Sequence, residues 1–139
     1  MINREEFLNI PKLSKEIAEE ENRIAVIRAK LYSPRGLDTN EKVQSSGSQT
    51  ALADVVIDME QRLEAKKIEL SSLRAEALRM IYGADLEDSE RLVLMLRYVE
   101  DSTWLEITEA IHYSVATVFR IHRAAIDKLF CGAKFVEEG

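Results

Sequence analysis

Apolar residues return at intervals of three and four along most of the first half of the chain. Ile10, Leu13, Ile17, Ile24, Ile27 and Leu31 make one series, with Glu20 between Ile17 and Ile24. Leu52, Val56, Met59, Leu63, Leu70, Leu73, Ala77 and Met80 make a second, interrupted by Lys66. Such intervals hold side chains on one stripe of an α-helix and define a heptad seam. The pattern therefore predicts two long helices whose seams, at about 22 residues and 1.5 Å per residue, run roughly 33 Å. Pro11 suits the first turn of the first helix, and Asn3 with Glu6 can form a capping box for a short leading turn. The intervening SPRGLDTNEKVQSSGSQ, residues 33–49, is polar and aperiodic, and is expected to be a mobile loop.

Two seamed helices joined by a loop fold back most simply as an antiparallel, coiled-coil-like hairpin. The register that aligns the seam ends sets Leu31 near Leu52, Ile24 near Met59 and Ile10 near Leu73, and brings Glu20 and Lys66 to adjacent layers as an aligning ion pair. Val55, Ile57, Ile68 and Leu78 fall off the stripe. One hairpin leaves them uncovered, so a homodimer through this half is expected.

The texture changes after Gly83. Asp85, Asp88 and Ser89 offer helix caps, and RLVLMLRYVE follows as a helix apolar on more than one side, as befits an element held between neighbours. Thr103 and Glu106 make a capping box for TWLEITEAI. His112 and Tyr113 leave room for only a short turn, and Ser114 caps the last long helix. This is helix-turn-helix spacing. About Ile107, the helical angle turns Trp104, Ala110 and Ile111 inward and Leu105 and Glu109 outward; on the last helix Val118, Ile121, Ala125 and Leu129 share one face, opposite Ala116, Arg120, Arg123 and Asp127. The predicted fold is all-α, with a hairpin over residues 1–84 and a helix-turn-helix module over 85–139.

Charge restricts where nucleic acid can be met. The formal net charge is −6, so no global attraction to a polyanion exists. Between residues 114 and 134 the balance reverses, with Arg120, Arg123, Lys128 and Lys134 against Asp127 alone, and any phosphate-binding surface must be local. The single Cys131 excludes an internal disulfide and lacks the neighbours that would make it reactive. No apolar run has the length of a membrane span or the layout of a signal peptide, and a cytosolic protein is expected. No nucleophile motif, glycine-rich phosphate loop or metal-ligand spacing is present, so neither enzyme activity nor a cofactor or metal is expected.

A recognition helix must bury one stripe and offer small and fork-shaped donor residues on the other, near its N-terminus, where the major groove admits it. Ala116 keeps that approach open. Thr117, on the flank, suits a phosphate or a thymine methyl, and Arg120 and Arg123 suit guanine or phosphate. The amides after Ser114 favour a phosphate. An exposed arginine is more often plain solvated charge; two on one face behind a capped short turn shift the balance towards DNA. His122 reads as a core-edge residue, Trp104 as core, and Phe119 as a partly buried flank.

The stretch ERLVLMLRYVEDSTWLEITEAIHYSVATVFRIHRAAIDKL, residues 90–129, resembles region four of sigma factors, in which a helix ending RYVEG precedes an L-x-x-I-A helix and a second helix carrying T-V and R-A-x-x-K-L. It is similar, more closely, to the sigma-like helix-turn-helix of phage-encoded transcriptional regulators of the ArpU and RinA type. That resemblance implies control of phage late or packaging genes by binding promoter DNA in the bacterial host, with Thr117, Arg120 and Arg123 on the helix that touches DNA. Leu105 and His112 depart from the sigma pattern, which has an acidic residue and a glycine there. An exposed Leu105, with Phe119, points to a second reading: an adaptor that docks on RNA polymerase or a phage protein.

Overall fold

A computed structural model describes residues 2–31 and 42–130, with side chains from residue 50 onward in the second stretch. Its elements are α1 (Arg4–Leu8), α2 (Ile10–Leu31), α3 (Lys42–Gly83), α4 (Asp88–Leu94), a turn of π-helix (Met95–Val99), α5 (Trp104–Ile111) and α6 (Val115–Phe130). Among the described residues no strand occurs, and the all-α architecture of a helical hairpin and a helix-turn-helix stands. Helix α3 starts earlier than the polar composition implies: it takes in the last eight residues of the loop expected over 33–49. No proline interrupts that stretch, and extending an existing helix adds one hydrogen bond per residue fixed, which a single Gly47 is too weak to stop. Residues 33–41 of that loop lie outside the described residues.

The chain divides into two compact units, one formed by Lys15–Glu69 and the other by Met1–Ser14 with Leu70–Gly139. Packing thus draws its line within the two long helices, whereas the change of sequence texture falls near residue 84. In the first of these units Ile17, Ile24 and Leu31 of α2 and Val56 and Leu63 of α3 are buried. Arg28 pairs with Glu60, and Lys67 reaches Glu21 at 2.6 Å. Each of these links steps seven residues back along α2 and seven forward along α3, which sets Ile24 level with Leu63 and Leu31 level with Val56. The register that joins Ile24 to Met59 is therefore corrected by about one helical turn. Seams repeating every seven residues fit at several whole-turn offsets, and the charges beside the seam decide among them. The Glu20–Lys66 pair is corrected with it: Glu20 instead accepts from Arg23 one turn along its own helix, at 3.0 and 3.2 Å.

The other unit is built around α6. Val93, Ile107 and Val118 form a fully buried cluster against which Leu96, Trp104, Ile111 and Ile121 pack. Helix α1 contributes Phe7, wholly buried, with its ring 4.4 Å from that of Tyr98 and 5.4 Å from that of Phe130. Burial of one such ring stabilises the module by about 1.5 to 3 kcal/mol. Asn3 and Glu6 close the expected capping box on α1. For α4 the expected caps Asp85, Asp88 and Ser89 are corrected to Glu87, whose backbone N–H donates to the Glu90 carboxylate at 2.9 Å. Arg91 then donates to the carbonyls of Ile81, Ala84 and Leu86, tying the end of α3 to α4.

Candidate nucleic-acid interface

Helix α5 opens with the reciprocal Thr103–Glu106 capping box, at 2.8 and 3.1 Å. It ends at His112, whose φ of 62° and ψ of 35° place it in the left-handed region, and whose N–H reaches the Thr108 carbonyl. That conformation turns the chain within Tyr113 and Ser114, so α6 leaves at the angle a helix-turn-helix requires. Ser114 caps α6: its hydroxyl oxygen accepts from Thr117 N at 3.2 Å and its proton goes to Thr117 Oγ1 at 3.0 Å. The first amides of α6 have no intrahelical acceptor and face outward.

The inward faces are set as the spacing predicts, with two adjustments. Ile107, Val118, Ala125 and Leu129 are buried and Ile121 half-buried, but Ala110 is exposed, because the narrow inner stripe of so short a helix is filled by Ile107 and Ile111. Ile126 is buried and widens the inner face of α6. Trp104 is half-buried. It receives the Arg97 guanidinium over its face at 4.5 Å and the Phe119 ring edge-on at 5.0 Å.

His122 sits behind the outer face. Its ring stacks on Tyr98 and meets Trp104 edge-on at 4.9 Å, and its Nε2 lies 2.7 Å from the Tyr98 hydroxyl. Burial, with the cations of Arg97 and Arg123 nearby, lowers its pKa from 6.5 to about 4, and burial raises that of Tyr98 to about 12. The phenol therefore keeps its proton and the imidazole is neutral, so the bond between them joins two uncharged groups, its direction set by the imidazole tautomer.

Of the sequence-singled residues, Ser114, Ala116, Arg120 and Arg123 are exposed and Thr117 is half-buried. Among the described residues neither Arg120 nor Arg123 forms an ion pair, and neither packs on another ring. Lys128, by contrast, is not available: its Nζ is 2.9 Å from the buried Glu90 carboxylate and 3.8 Å from Glu87, and that hydrogen bond raises its pKa. The sequence gives no sign of this pairing, which spans 38 residues. Leu105 is 65 % exposed. Cys131 and Lys134 lie outside the described residues. No group of three or more His, Cys, Asp or Glu among the described residues could hold a metal ion, and no described helix is long and apolar enough to cross a membrane.

A capped short helix, a left-handed turn and a second helix with a buried inner and a cationic outer face define a helix-turn-helix, a class of DNA-binding module. Residues 84–130, about a third of the chain, match the family model for Sigma-70, region 4. The module is thus a sigma-like helix-turn-helix of the transcription-related kind, a regulatory and not a catalytic type of domain. No curated protein and no solved structure matches the chain.

Proposed function

We propose that the protein is a sequence-specific duplex-DNA-binding transcriptional regulator of the phage-encoded ArpU and RinA type, acting on late genes in the cytoplasm of a bacterial host. The observation that carries this is the outer face of α6, where Arg120 and Arg123 stand exposed without an ion pair among the described residues, behind the Ser114 cap. Guanidinium forks so placed reach guanine edges or phosphates, and Ser114, Thr117 and the free amides of the first turn hold the backbone. Residues 85–139 read DNA in this scheme, and the hairpin within 1–84 joins two copies through its uncovered Val55, Ile57 and Ile68. A homodimer presents two recognition helices about 34 Å apart, or a multiple of that, and selects paired half-sites.

Leu105 favours a second reading, in which that side chain and Phe119 dock on RNA polymerase and DNA is not touched. Salt separates the two. Phosphate contacts make affinity fall steeply with ionic strength, while an apolar dock hardly responds. The decisive experiment selects bound fragments from phage DNA and compares Arg120→Ala and Arg123→Ala on the winning duplex. Each is expected to lose about 1 to 3 kcal/mol at a base contact, or to flatten the salt slope by about one if it holds only phosphate. Unchanged binding in both variants removes the assigned face.

A further inference from the structure

Two large apolar side chains share the exposed face of α6 with the arginines. Val115 is 48 % and Phe119 41 % exposed. Val115, Phe119 and Arg123 follow one another at intervals of four, and Ala116 and Arg120 form the neighbouring row, so these five side chains make one continuous surface. Exposed valine and phenylalanine beside unpaired cations give this face an apolar and a cationic component together. Water solvates them poorly, while a protein core elsewhere in the chain is already complete around Val118 and Ile107. Phe119 meets the Trp104 ring in a T-shaped contact at 5.0 Å and still leaves 41 % of its surface exposed. Thr117, the residue whose methyl the sequence offers to a base, is half-buried and its hydroxyl accepts from Ser114.

We infer that Val115 and Phe119 read thymine C5-methyl groups in the major groove, next to guanines held by Arg120 or Arg123, so that the bound site places thymine beside guanine. This rests on the DNA-binding reading above and names the base chemistry that the surface selects. The thymine methyl is the one apolar group that the major groove displays, and an apolar side chain gains by covering it. The adjacent cations supply charge complementarity to the phosphates on either side.

The test uses the full chain and the tightest duplex from a selection, with each thymine replaced in turn by deoxyuridine, which deletes the methyl and leaves the Watson–Crick edge intact. Replacement at the contacted thymines is expected to weaken binding about fourfold per methyl. Replacement outside the site should change nothing. In Val115→Ser and Phe119→Ser the thymine and deoxyuridine duplexes should bind alike at the thymine that the replaced residue covers, at an unchanged salt slope. Because the change lies in the DNA, misfolding of a variant cannot imitate it. Salt-dependent, sequence-specific binding that ignores every deoxyuridine overturns the methyl reading and leaves DNA binding standing. Absence of any DNA binding overturns both.

Discussion

Ser14 on α2 donates its hydroxyl proton to the carboxylate of Asp101, 2.7 Å away and 87 residues further along the chain. Arg74 of α3 completes the contact, donating to Ser14 Oγ at 3.3 Å and lying 3.6 Å from the other carboxylate oxygen. Asp101 stands in the turn between the π-helical end of α4 and α5, with a φ of 62°. A side chain there is strained by about 1 to 2 kcal/mol relative to glycine, and the sigma-like pattern has glycine at this place. The bonds to Ser14 and Arg74 offset that strain, and make the first turns of α2 part of the scaffold of the helix-turn-helix.

Asp101→Ala and Asp101→Gly should separate the two terms. Alanine keeps the left-handed strain and loses the bonds; glycine loses the bonds and releases the strain. Urea unfolding of the full chain is expected to show both variants destabilised, with Asp101→Ala the weaker by about 1 kcal/mol. Equal stabilities would mean that the backbone relaxes freely there and that the clamp carries no strain.

His112 is the second left-handed residue, and here no side-chain bond compensates. His112→Gly removes a penalty of about 1 to 2 kcal/mol and gives back roughly half of it in unfolded-state entropy, so a gain of about 0.5 to 1 kcal/mol is expected. The same variant should leave DNA affinity within about twofold, because the turn is already closed in the native geometry. A thermal melt and one titration check both.

The turn shows what the sequence could and could not disclose. Capping boxes at Asn3 and Thr103, the cap at Ser114 and the two faces of α6 were legible because each depends on residues three or four apart, within the reach of one helical turn. Phe7 in the module's core, the Ser14–Arg74–Asp101 contact and the Lys128–Glu90 pair were not, since each joins elements distant in sequence and carries no periodic signal. The hairpin register lies between these cases. Its stripe was visible but its offset was not, because a seven-residue repeat is compatible with itself after a shift of one turn.

Protonation of His122 should loosen the module in acid. Its folded pKa, about 4, lies below the unfolded 6.5, so between these values the unfolded chain binds the extra proton. Stability conferred by the neutral imidazole is complete above about pH 6.5 and is lost as pH falls towards 4, below which no further loss from this group is expected. The ring is partly exposed, and after allowance for solvent screening the loss is on the order of 1 to 2 kcal/mol. Urea melts at pH 7, 5.5 and 4 should show this fall in the native chain and a shallower one in His122→Gln. Parallel curves would assign the acid sensitivity to other groups.

Among the described residues Glu90 is the one buried charge, and its partners are the Lys128 ammonium and the Glu87 amide. Removing Lys128 leaves a carboxylate without its counter-charge in a poorly solvated place, whereas removing both leaves none. Lys128→Met is therefore expected to destabilise the fold, and Lys128→Met with Glu90→Gln to recover much of the loss. If Lys128 instead served DNA, the single variant would keep its melting temperature and lose affinity.

Charge reversal tests the register of the hairpin. Glu21→Lys sets a like charge beside Lys67, and adding Lys67→Glu restores an opposite pair with the order exchanged. The single variant should melt lower than the native chain and the double variant should return most of the way, since the coupling belongs to the pair and not to either residue. Glu20→Lys with Lys66→Glu is the control, because Glu20 is engaged by Arg23 on its own helix. Coupling in the control pair and none between 21 and 67 would restore the alignment of Ile24 with Met59, one turn away, and with it a different set of uncovered apolar residues along the hairpin.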